Sequence, residues 1–289
     1  MTTDNMSAGA DAPARAMARL VNAMGYEVMP FKGTEDAVVR HVPTQVPLSV
    51  TTTEGKGLGP TVDLAVRLRQ RGYDVAPHLA ARLFRDDDEV AALASRLKAE
   101  GVERVFVIGG DAATPAGKFP DALGLLQSLD RVGHSLRDVG IGGYPEGHGT
   151  IAVDIVESAL RAKAAHATRV VTQICFSAES TVGWARSLSA VGVDLPVHVG
   201  LPGPVNRQKL IRISTSLGLG PSARFLSKQQ GWWRFLVPGA YNPSRLVRGL
   251  ASADEQSGRL AGLHVFTFNE LQRTEEWRCR LMERWGDPR

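Results

Sequence analysis

Arg169-Val170-Val171-Thr172-Gln173-Ile174-Cys175-Phe176 is the stretch whose reading decides the fold. Val170, Val171 and Ile174 form a β-branched apolar run, as in a strand buried on both faces. Gln173 stands where the run gives way to a loop. A carboxamide at such a rim offers a donor and an acceptor to a ring edge; satisfying nearby backbone is the other use of such a residue. The same transition from apolar run to polar terminus recurs along the chain.

Working outward, strands are predicted at Tyr26–Met29, Leu48–Thr52, Val75–Leu79, Arg104–Ile108, Val139–Gly142, Pro196–Leu201 and Leu263–Phe268 as well. Helices are predicted between them: Arg15–Met24, Pro60–Arg71, a segment capped by Asp86-Asp87-Asp88 and running to Glu100, Pro120–Val132, Ile151–His166, Thr181–Ala190 and Asn206–Leu217. A helical excursion (Pro221–Lys228, Gly231–Gly239, Asn242–Gly258) precedes the last strand, and a final helix runs from Asn269 towards Trp285. Residues 1–14 read as a mobile tail and 15–289 as one domain. Strands separated by helices must run parallel, and eight such units in 289 residues predict a single (β/α)8 barrel. No GxGxxG follows the first strand, which removes the main support for a dinucleotide-binding doubly wound sheet.

With 43% hydrophobic and 22% charged residues, the chain has the composition of an ordinary soluble protein. Its net charge of +4 is scattered rather than blocked, which argues against a nucleic-acid or membrane surface and leaves a small anionic ligand open. Cys175 and Cys279 make neither a disulfide framework nor a zinc spacing. Without a signal or a span-length apolar run, the chain reads as cytoplasmic. Oligomeric state is not legible.

In this fold the side chains at the C-terminal strand ends converge on one mouth. Glu27, Thr51, Thr52, His78, Asp111, Tyr144, Glu146, His148, Gln173, Phe268 and Asn269 lie at such ends. Asp111 could equally cap the following helix. The loop Thr53-Glu54-Gly55-Lys56-Gly57-Leu58-Gly59 could bring backbone amides to a pyrophosphate with Lys56 as counter-charge, or could simply be a flexible loop. Trp232-Trp233 and Cys175 read as packing residues.

Several of these residues carry a family resemblance. Tyr26-Glu27-Val28-Met29-Pro30, Ala76-Pro77-His78-Leu79, Gly110-Asp111, Tyr144-Pro145-Glu146-Gly147-His148, Thr172-Gln173 and His264-Val265-Phe266-Thr267-Phe268-Asn269 resemble, in order, the strand-end motifs of the methylenetetrahydrofolate reductases. The resemblance implies an NADH- or NADPH-dependent reduction of 5,10-methylenetetrahydrofolate to 5-methyltetrahydrofolate. It implies Glu27 as the acid and Asp111 as the catalytic aspartate at the pterin, with Gln173, Phe268, Tyr144 and Asn269 on the substrate. Thr51, His78, Gly110, His148 and Arg161 would then face a cofactor. On the helix after His148, Ile155 and Ser158 stand where the family's polar flavin contacts are expected, which leaves Arg161 and Lys163 as phosphate partners.

The family usually relays hydride through FAD. Here Gly109 stands where the family has the arginine of Arg-Gly-Asp, so a phosphate-binding fork is missing, and Glu270 replaces a common arginine after the last strand. These departures favour direct hydride transfer from the nicotinamide. A flavoprotein of the same activity and a non-catalytic folate-binding partner protein are the alternatives.

Overall fold

The computed structural model describes residues 7–52, 55, 57–206 and 240–286. Its strands are β1 (Met24–Val28), β2 (Leu48–Val50), β3 (Val75–Ala80), β4 (Arg104–Ile108), β5 (Asp138–Gly143), β6 (Arg169–Thr172), β7 (Val197–Pro202), β8 (Val205–Asn206), β9 (Ala240–Tyr241) and β10 (Leu260–Phe266). Eight of them close into a barrel in the order β1-β10-β7-β6-β5-β4-β3-β2, and β8 pairs antiparallel with β9. The eight-stranded α/β barrel is therefore the fold read from the sequence.

The helices among the described residues are α1 (Ser7–Asn22), α2 (Thr34–His41), α3 (Gly59–Gln70), α4 (Asp87–Ala99), α5 (Ala122–Val132), α6 (Val153–Ala164), α7 (Ala178–Ser187), α8 (Ser244–Asp254) and α9 (Leu271–Trp285). The first begins at Ser7 rather than Arg15, so the segment read as a tail is helical from Ser7 onward. The sequence reading does not predict α2: only Thr34 and Val38 of it are buried, too few to make a periodic apolar stripe. The helix expected after Asn206 and the excursion up to Gly239, including Trp232-Trp233, lie outside the described residues.

Helix entry follows local chemistry. Asp86 caps α4 by accepting a hydrogen bond from the Glu89 amide at 3.0 Å, and Glu89 accepts at 2.8 Å from the amide of Arg85, the residue before the cap. Asp121 caps α5 through the Gly124 amide, so that role falls to Asp121 and not to Asp111. No described helix is long and apolar enough to cross a membrane.

The chain divides into two compact units, one of Met1–Met24, Tyr144–Val156 and Thr172–Arg289, the other of Gly25–Gly143 and Glu157–Val171. In the second unit the strand starts carry an ion cluster. Arg104 reaches Asp138 at 2.6 Å and Asp74 at 2.7 Å, and Arg169 lies 3.2 Å from Asp138. Burial would raise the Asp138 carboxyl, but Arg169 and Arg104 together hold it below its ordinary value. In the first unit, Trp277 is buried and donates its indole N–H to Ser244 at 2.8 Å, joining α9 to α8.

Candidate active site

In the second unit, strand alternation sets the surroundings of Glu27. Tyr26 and Val28 are fully buried on the opposite side of β1 from Glu27. The Glu27 carboxylate lies 3.6 Å from Nε2 of His78 on β3, with its side chain only 13% exposed. His78 in turn meets the Phe106 ring edge-on at 4.7 Å. Burial pushes the Glu27 carboxyl above its ordinary value, and His78 opposes that shift.

The loop after β2 is tied to the same strand. Thr52 donates to the His78 carbonyl at 2.7 Å, and the Thr51 carbonyl accepts from the Thr61 hydroxyl at 3.0 Å. Gly110 has φ +89, and a Cβ there would sit 3.0 Å from the Ala80 Cβ, so glycine is favoured on both counts. Asp111 is exposed. Arg82, which no local sequence pattern marks, donates from its guanidinium to the carbonyls of Ala112 at 2.6 Å, Ala113 at 2.8 Å and Pro120 at 2.9 Å and so braces the loop that carries Asp111. Arg161 is exposed on α6, and Lys56 lies outside the described residues.

In the first unit, Tyr144 and His148 meet edge to face at 4.9 Å. His148 Nδ1 accepts from the amides of Thr150 at 3.2 Å and Ile151 at 3.1 Å, which ties this ring nitrogen to its own loop. Gln173 follows β6 directly and is partly exposed; its Oε1 accepts from the Ile174 amide at 2.9 Å, so the oxygen of the carboxamide satisfies adjacent backbone. Thr172 donates to the Gln173 carbonyl and accepts from the Gly200 amide, both at 2.8 Å. Phe268 and Asn269 have φ of 50° and 60°, a left-handed pair that is costly for a bulky residue such as phenylalanine. Phe268 is buried. Among the described residues no group of three or more His, Cys, Asp or Glu side chains could hold a metal ion.

The family model for methylenetetrahydrofolate reductase matches residues 35–219. The chain belongs to this family. A 5,10-methylenetetrahydrofolate reductase of Pectobacterium carotovorum subsp. carotovorum is 26% identical over 242 residues, covering 79% of this chain and 77% of that protein. A Clostridium thermocellum protein that binds two copies of 5-methyl-5,6,7,8-tetrahydrofolic acid superposes with a TM-score of 0.60 at 12% identity, covering 92% of this chain and 96% of that one. At that identity the likeness is one of fold.

Proposed function

We propose that this methylenetetrahydrofolate reductase family member reduces 5,10-methylenetetrahydrofolate to 5-methyltetrahydrofolate with NADH or NADPH, by direct hydride transfer. The observation that carries the reading is Glu27, a carboxyl raised by burial at the end of β1. The methylene carbon bridges N5 and N10, and the product keeps only its bond to N5. Glu27 gives its proton to N10 as that C–N bond opens, leaving an iminium at N5. A nicotinamide bound within about 3 to 3.5 Å of the methylene carbon would supply the hydride there and leave oxidised. Asp111 and Gln173 serve the pterin, and Phe268, Tyr144 and Asn269 the rest of the substrate.

Direct transfer is supported by the poor fit of the residues present to a flavin held in the family manner. Gly109 has no side chain to offer a phosphate. Ile151, Val153 and Ile155 expose apolar surface around the start of α6, where polar flavin contacts would be needed. Thr51, His78, Gly110, His148, Arg161 and Lys56 are left as candidates for the nicotinamide dinucleotide.

The test is nicotinamide oxidation by dialysed, colourless enzyme supplied with methylenetetrahydrofolate, with and without FAD. Full activity without FAD supports the proposal; activity only with FAD replaces direct transfer by a flavin relay. Glu27→Gln should lower kcat by about 100-fold or more, as loss of a general acid does. A variant with the wild-type rate would remove Glu27 from the chemistry.

A further inference from the structure

Four consecutive amides after β6 are held by three different acceptors. The Ile174 amide donates to Gln173 Oε1 at 2.9 Å and the Cys175 amide to the Gly200 carbonyl at 2.8 Å. The next two, Phe176 and Ser177, both donate to one oxygen of Glu146, at 2.6 and 2.7 Å. Glu146 is 30 residues away from Phe176 in sequence, in the turn after β5. Its other oxygen, Oε2, is closed off from solvent and meets no hydrogen-bond partner among the described residues. The carboxylate therefore faces the protein, at the entrance to α7, where a negative charge is favoured by the helix dipole.

We propose that Glu146 is a positioning residue, whose carboxylate clamps the Phe176 and Ser177 amides and so fixes the loop that presents Gln173. Charge-assisted bonds of this kind are about twice as strong as neutral ones. Its charge is felt nearby: burial first, and then Glu146, push the Cys175 thiol up to about 12 and raise the Tyr241 phenol. The inference rests on the reading of Gln173 as a substrate contact, but the clamp itself can be tested apart from the reaction.

Hydrogen exchange of the peptide containing Phe176 and Ser177 is compared in the wild type, Glu146→Gln and Glu146→Ala. The clamp predicts exchange about tenfold faster in Glu146→Ala, with Glu146→Gln intermediate. Unchanged protection in both variants overturns it. In steady-state kinetics, Glu146→Ala should raise KM for methylenetetrahydrofolate about tenfold and leave KM for the nicotinamide unchanged, and adding Gln173→Ala should cost no more than the worse single variant. Fully additive losses overturn the link to Gln173. If Glu146→Ala does not fold, Glu146→Gln carries both comparisons. If the wild type consumes no nicotinamide, the functional reading fails while the exchange measurement still decides the clamp.

Discussion

Gly200→Ala places a methyl group against atoms that cannot move aside. A Cβ on Gly200 would lie 2.3 Å from the Thr172 carbonyl oxygen, 2.8 Å from that of Gln173 and 2.9 Å from the Phe266 ring. Two of the three obstacles are backbone, so the end of β6 and the start of the Gln173 loop must shift. Overpacking of this kind costs about 3 kcal/mol, at the upper end of its usual range. Unfolding entropy for a chain of this size makes 1 kcal/mol equivalent to about 1.5 °C, so the melting temperature should fall by about 5 °C. Gly183→Ala is the control: Gly183 is exposed on α7, with nothing within 4 Å of the added Cβ. Relieving a helical glycine there should stabilise by about 1 kcal/mol, raising the midpoint by about 1.5 °C. Thermal unfolding by circular dichroism measures both, and KM for methylenetetrahydrofolate should rise only in Gly200→Ala. Equal melting temperatures for the two variants would refute the packing argument.

Three further outcomes are expected. Arg104→Met, which strips Asp138 and Asp74 of a largely buried partner, should destabilise by about 3 kcal/mol, whereas loss of the half-exposed Arg137 should cost under about 1 kcal/mol; urea unfolding separates them. Because the folded state raises the Glu27 pKa, wild-type stability falls as pH rises from the ordinary value of 4.5 through the raised one; Glu27→Gln removes that loss, so melting curves of the two should diverge in favour of the variant with increasing pH. With its thiol buried and pushed up to about 12, Cys175 should resist a thiol reagent at about pH 8 until the protein unfolds, while the exposed Cys279 reacts in the native state.

Much of this architecture is legible locally. Alternating β-branched runs and helical segments, the Asp86 cap and the polar residues at strand ends are set by periodicities and spacings of a few residues, so the barrel, and the placement of Glu27, His78 and Gln173 on or beside its strands, could be read from the sequence. What surrounds those residues is another matter. The alternation of β1 turns Tyr26 and Val28 away from Glu27, and its real neighbour, His78, comes from a strand two places further along the chain. Arg82, Glu146 and Arg104 act on partners 30 or more residues away, because parallel strands meet only after a helical crossover. Residue type and spacing determined which groups reach the strand ends; only the register of the closed sheet decided which of them touch, and with what charge.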